Sequence, residues 1–189
     1  LKMKRWVFKS IHEKIGSLQR FIVGSAALNL DVITFYQRIG IEICEGYGLT
    51  ETSPVVSVNT PEYFKAGSVG RPLDGVEVKI EGADENGVGE VMIKGPNVFA
   101  GYFRDQELTR EVLNEQGWLA SGDLGKLDER GFLYITGRKK KMIVLDSGKK
   151  VYPEEVEALI LQDDAVEEAV LVAIYLAKKQ LRLVLAAVP

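Results

Sequence analysis

The sequence predicts an α/β segment, then a β-rich unit, then an α+β unit. Three observations predict this. Strand–helix–strand patterning runs up to Cys44. Alternating apolar residues, broken by turn signals, run from Gly67 to Ile135. A helix opened by Pro153 then sits between strand-like stretches.

Trp6 to Ile15 reads as a helix, because Val7, Ile11 and Ile15 recur every fourth residue and Gly16 can end it. Leu18 to Val23 reads as a strand, followed by the small-residue turn Gly24-Ser25-Ala26-Ala27. Asn29 or Asp31 can cap a second helix with Val32, Ile33, Tyr36 and Ile39 on its apolar face, closed by Gly40. Ile41 to Cys44 is a buried strand. The two strands should be parallel with a right-handed crossover, so both following turns should leave their carboxyl ends toward one crevice.

After Pro54 the pattern changes. Val76, Val78 and Ile80 alternate with charged residues, Asn86-Gly87 signals a tight turn, and Val91 and Ile93 alternate again. A short helix from Asp105 to Asn114 takes Asp105 as its cap and turns Leu108, Val112 and Leu113 inward. Trp118–Leu127 and Phe132–Ile135 form a hairpin at Gly131. Such short, regularly turned strands imply a small, distorted antiparallel barrel or a curled sheet. Arg138–Lys141 is a charged bridge, taken as a domain boundary. Met142–Leu145 and Lys149–Tyr152 flank a turn at Asp146-Ser147-Gly148. Pro153 begins a helix with Glu154 and Glu155 in its first turn and Val156, Leu159 and Ile160 on its buried face. Val166–Ile174 and Leu181–Val188 read as strands.

Composition narrows the function class. The chain has 189 residues, 46% hydrophobic and 27% charged, with net charge −3. That balance gives no support to a general nucleic-acid binder. The basic runs Lys139–Lys141 and Lys149-Lys150 read as solvated surface. The single cysteine, Cys44, rules out an internal disulfide, and its apolar neighbours mark it as a buried structural thiol. No apolar run approaches the ~20 residues of a membrane span. No leader is evident, and a cytoplasmic setting is the default expectation. Both ends look cut, which suggests a piece of a larger protein. His12, beside Glu13, reads as a surface helix histidine. Glu154, Glu155 and Glu157 read as a helix start rather than a metal site.

The stretch Glu45-Gly46-Tyr47-Gly48-Leu49-Thr50-Glu51-Thr52 carries most of the chemistry. It holds a ring that can face a planar base, glycines that let backbone approach a phosphate, and a hard-oxygen carboxylate suited to a divalent cation. It has companions in order: Gly24-Ser25-Ala26-Ala27, Gly89–Gly95 ending at Gly101-Tyr102, Gly117–Leu124, Gly137–Lys140 and Val151–Glu157.

This ordered set resembles the adenylate-forming (AMP-binding) superfamily, and most nearly bacterial long-chain fatty-acid–CoA ligases. The resemblance implies that residues 1–60 are the end of a large α/β nucleotide-binding subdomain and 61–137 a β-barrel subdomain. It implies a hinge at 138–141 and part of a mobile C-terminal lid at 142–189. It implies two half-reactions: a carboxylate attacks the α-phosphate of ATP, and coenzyme A then displaces AMP. Tyr47 would stack on adenine, Thr50 would bond the α-phosphate, and Glu51 would bind magnesium. Gly24, Ser25, Ala26, Glu45, Gly46 and Gly48 would line the nucleotide. Asp123 would grip the ribose, whose two hydroxyls suit a carboxylate, and Arg138 would contact ribose and phosphate. Lys140 falls at the hinge position, and Ser147 and Gly148 at the coenzyme A tunnel. Ser25, Ala27 and Ala120-Ser121 depart from the family pattern, though Ser25 and Ala27 remain small. The family's phosphate loop and adenylation lysine are not found in the chain, so the chain alone is expected to be inactive. The implied partners are fatty acid, ATP and coenzyme A. Peripheral membrane association of the full-length enzyme and self-association of the piece are compatible with them. A fatty acyl-AMP ligase, a carrier-protein-loading adenylation domain and a non-catalytic nucleotide-binding scaffold share the same motifs.

Overall fold

The computed structural model describes residues 7–16, 18–24, 30–145, 147–163, 165–176 and 180–189. The predicted turn residues Ser25, Ala26 and Ala27, the cap candidate Asn29, and Asp146 lie outside them.

The chain begins with α1 (Lys9–Ile15), β1 (Arg20–Val23), α2 (Leu30–Arg38) and β2 (Glu42–Tyr47). Gly16 and Gly40 follow the two helices with φ of 65° and 85°, which a side chain would resist. β1 and β2 pair in parallel from Arg20 opposite Glu42 to Val23 opposite Glu45, as the strand–helix–strand pattern predicts. Ile33 and Ile39 are buried between helix and sheet, while Val32 on the predicted apolar face stays exposed.

β2 runs three residues beyond the predicted Cys44, so Glu45, Gly46 and Tyr47 are strand rather than turn. The cause is non-local. β3 (Ser57–Val58) pairs antiparallel with Gly46 and Tyr47, and β4 (Arg71–Pro72) pairs with β3. Backbone groups that would otherwise be orphaned are thereby bonded.

β5 (Glu77–Glu81), β6 (Gly89–Lys94), β7 (Leu119–Leu127) and β8 (Leu133–Arg138) form a four-stranded sheet in that order. The predicted barrel is not formed. Among the described residues the order is linear with β5 and β8 as its edges, because β3 and β4 extend the β2 sheet instead. β6 holds Val91, Met92 and Ile93 buried in succession, so it is covered on both faces. α3 (Gln106–Val112) starts as predicted, with the Asp105 carboxylate accepting from Leu108 N at 2.9 Å. Leu108 itself is exposed, contrary to the inward reading.

β9 (Ile143–Val144) and β10 (Lys150–Val151) form a small antiparallel hairpin. α4 (Pro153–Ile160) follows, then β11 (Glu168–Leu176) and β12 (Gln180–Val188), also antiparallel. Leu159 faces solvent rather than the core. Instead, the Glu157 carboxylate accepts from Leu171 N at 2.8 Å and ties α4 to β11.

Contacts divide the chain into two compact units. One comprises Leu1–Lys79, Met92–Ser121 and Leu127–Tyr134; the other comprises Ile80–Val91, Gly122–Lys126 and Ile135–Pro189. Each of β5 to β8 has residues in both.

His12 corrects the surface reading. It is buried, and its Nε2 lies 2.7 Å from the carbonyl of Ile39, just past the end of α2. That carbonyl would otherwise be an unpaired helix-end acceptor. Cys44 is buried as predicted, and burial pushes its thiol pKa up.

Candidate functional site

In the first unit the site is built where β2 ends. A Cβ at Gly24, after β1, would lie 3.3 Å from the Gly46 carbonyl, so the two parallel strand ends nearly touch. A Cβ at Gly48 would lie 1.7 Å from the Pro54 carbonyl, which no side chain can occupy. Glycine is therefore required at 48 for the chain to fold back on itself. That fold produces the 3-10 turn Thr50–Thr52.

Thr52 fixes the turn. It is fully buried, and its hydroxyl accepts from Leu49 N and donates to Leu49 O, both at 2.9 Å. With Thr52 turned inward, Thr50 is left exposed and Glu51 half-buried. Asn97 pins the following loop, donating to Thr52 O at 3.1 Å and Val55 O at 2.9 Å.

Glu51 is held at both ends. Its carbonyl accepts from Phe99 N at 2.8 Å, and its Oε1 accepts from the Tyr102 hydroxyl at 2.8 Å. The carboxylate raises the Tyr102 pKa, first through that hydrogen bond and then with the help of burial. Tyr102 appears in the quoted Gly101-Tyr102 motif, but the sequence assigned it no role. Its partner lies 51 residues away, and no local pattern reports such a contact. Glu45 is buried and Tyr47 half-buried on β2.

In the second unit Asp123 and Arg138 come together. Asp123 is buried on β7, and Arg138 Nε lies 2.6 Å from its Oδ1. Lys140 sits in the 3-10 turn Lys139–Lys141, is exposed, and makes no hydrogen bond or ion pair among the described residues. Its neighbours are paired: Lys139 with Glu90 at 2.5 Å and Lys141 with Glu154 at 3.3 Å. Ser147 and Gly148 are exposed in the β9–β10 turn, where Gly148 has φ 82° and donates to Leu145 O at 2.8 Å. Beside this region a cavity of 240 Å³ is lined by Glu90, Lys139, Met142 and Tyr152, among others.

The larger cavity, 260 Å³, lies in the first unit against Gly40, Ile41, Cys44 and Phe64. None of the predicted site residues lines it. Among the described residues no three His, Cys, Asp or Glu side chains cluster to hold a metal. Glu51 is a single carboxylate with Oε2 left by Tyr102. That fits magnesium, which takes one or two carboxylates and completes its shell with phosphate oxygens and water.

The model of the family described as AMP-binding enzyme matches residues 3–103. A long-chain-fatty-acid–CoA ligase of Xenopus laevis is 37% identical over 166 residues, covering 87% of this chain and 22% of that protein. A chloroplastic long-chain-fatty-acid–[acyl-carrier-protein] ligase of Arabidopsis thaliana is 35% identical, covering 89% of this chain and 25% of that protein. The o-succinylbenzoate CoA synthetase of Bacillus subtilis, solved with its acyl-adenylate intermediate, superposes with a TM-score of 0.83. It is 31% identical and covers 97% of this chain and 40% of that one. The chain thus spans about a quarter of the length of the curated relatives it matches.

Proposed function

Because the chain belongs to the AMP-binding enzyme family, we propose that it is part of an AMP-forming long-chain fatty acyl-CoA synthetase. The observation that carries this is the Thr50–Thr52 turn at the end of β2, which buries Thr52 and presents Thr50 and Glu51. The long-chain substrate is supported by the ligases that the sequence resembles.

In the first half-reaction an oxygen of the fatty-acid carboxylate bonds to the α-phosphorus of ATP and pyrophosphate leaves. In the second, the sulfur of coenzyme A bonds to the acyl carbon and AMP leaves. The ring of Tyr47 takes the adenine, with Gly24, Ser25, Ala26, Glu45, Gly46 and Gly48 along the nucleotide. Thr50 donates to the α-phosphate. Glu51 would hold magnesium, which when bound draws charge off the phosphate oxygens. Asp123 accepts from the ribose hydroxyls; Arg138, already 2.6 Å from it, restrains that carboxylate and lies ready for the phosphate. Lys140 serves as the hinge, and Ser147 and Gly148 border the thiol's path.

On this reading residues 1–60 close the nucleotide-binding subdomain, 61–137 form the β-rich one, 138–141 the hinge and 142–189 part of the lid. The chain alone makes no thioester. The setting is cytoplasmic, with fatty acid, ATP and coenzyme A as partners and peripheral contact with membranes that hold the fatty acid. The exposed apolar residues of β11 and β12, such as Val170, Val172 and Leu185, support self-association of the isolated chain.

A second acceptor is supported by the acyl-carrier-protein ligase among the relatives. Incubating the full-length protein with ATP and a long-chain fatty acid separates the two. Thioester formed on coenzyme A supports the first reading. Transfer only to an acyl-carrier protein supports the second, and adenylate with neither acceptor used points to an acyl-AMP ligase.

A further inference from the structure

We infer that Tyr102 is a positioning residue that fixes the Glu51 carboxylate so that Oε2 faces the metal and phosphate. This rests on the reading of Glu51 as the magnesium-holding group. The contact is a built one. Tyr102 donates to Glu51 Oε1 at 2.8 Å, and its ring stands edge-on to Phe99, with centroids 4.9 Å apart. Phe99 N in turn donates to the Glu51 carbonyl at 2.8 Å. One short segment therefore grips both the backbone and the side chain of the same residue.

The segment is itself anchored. Tyr102 N donates to Thr109 Oγ1 at 2.9 Å, and that hydroxyl donates to Asp105 O at 2.7 Å. Gly101 makes this approach feasible: its φ is 138°, and a Cβ there would meet the Thr109 side chain at 2.6 Å. The anchor ends on α3, so the carboxylate is tied to a helix rather than to a loose loop. A glutamate has three side-chain torsions, and an untethered one would spread its oxygens over many positions. With Oε1 held by Tyr102, the carboxylate samples fewer positions, and Oε2 is the oxygen left for the metal. Groups that orient a metal-binding side chain in this way typically change metal affinity about ten-fold or more when removed.

The test uses the full-length protein. Tyr102→Phe keeps the ring against Phe99 and deletes only the hydroxyl. The magnesium concentration at half-maximal ATP–pyrophosphate exchange is measured for wild type, Tyr102→Phe and Glu51→Ala. The inference expects roughly a ten-fold rise for Tyr102→Phe, with near wild-type turnover at saturating magnesium, and loss of exchange for Glu51→Ala. Unchanged magnesium dependence in Tyr102→Phe, with Glu51→Ala inactive, overturns the positioning role and leaves the Glu51 reading standing. Full exchange in Glu51→Ala with wild-type magnesium dependence overturns both. A readout independent of activity is calorimetric magnesium binding to the full-length protein saturated with a non-hydrolysable ATP analogue. Tyr102→Phe should weaken it about ten-fold relative to wild type. Equal magnesium affinity in those two proteins refutes the positioning role.

Discussion

Two three-residue 3-10 turns end two strands of this chain, and they are held by opposite means. Thr50–Thr52 follows β2 and is fixed by short, directional bonds: the Thr52 hydroxyl to Leu49, Asn97 to two carbonyls, and Phe99 and Tyr102 to Glu51. Lys139–Lys141 follows β8, buries none of its residues, and is held by ion pairs to Glu90 and Glu154. Hydrogen bonds to buried groups cost about 1–3 kcal/mol to leave unmade. Exposed ion pairs contribute roughly 0.2–1 kcal/mol and weaken with salt. The same local backbone is thus a fixed platform in one place and a readily exchanged one in the other. A platform suits a group that must hold a cation, and an exchangeable turn suits a hinge.

The comparison breaks most readily at its glycines. Gly48→Ala forces a Cβ into the Pro54 carbonyl and should destabilise by about 3 kcal/mol or more, read from urea unfolding. Gly148→Ala, beyond the second turn, meets no atom within 4 Å and carries only the strain of φ 82°, so about 1 kcal/mol is expected. Equal losses would erase the distinction. Asn97→Ala should cost about 2 kcal/mol by stranding the carbonyls of Thr52 and Val55, measured the same way.

An ion pair away from both turns sharpens the contrast. Lys65 Nζ donates to Asp128 at 2.6 Å, and the backbone N–H groups of Arg130 and Phe132 donate to the same carboxylate. Together, and mainly through Lys65, they hold the Asp128 pKa down at about 2. The folded value lies below the unfolded ~3.9, so this stabilisation is complete above that pH and is lost as pH falls through the folded value. Asp128→Asn should flatten the acid side of the stability–pH curve between those limits, and an unchanged curve would refute the assignment. The smallest effects belong to the second turn. Lys139→Ala and Lys141→Ala should each cost about 0.5 kcal/mol in low salt and nothing measurable near 1 M salt.

What the sequence made legible was local or periodic. Asp105 capped its helix because the cap and its acceptor bond lie three residues apart. Gly16, Gly40 and Gly131 all took positive φ at the ends where turns were expected. The parallel pairing of β1 and β2 followed from strand–helix–strand order. What it hid was set at a distance. Gly46 and Tyr47 became strand only because Ser57 and Val58 lay down beside them. His12 was buried by a carbonyl 27 residues on. Periodicity placed Leu108 and Leu159 on apolar faces, but both remained exposed. Of the candidate residues, Thr50, Glu51, Asp123 and Arg138 were all named from motifs, and the last two proved to be paired. The grip of Tyr102 on Glu51 had no sequence signal beyond a tyrosine beside Gly101.

The central claim is that Glu51 and Asp123 serve one adenylation reaction. Fatty-acid-dependent exchange of labelled pyrophosphate into ATP by the full-length protein tests it most directly. The account predicts exchange in the wild type and its loss in both Glu51→Ala and Asp123→Ala, with unfolding midpoints showing the fold retained. Normal exchange in both variants would contradict it.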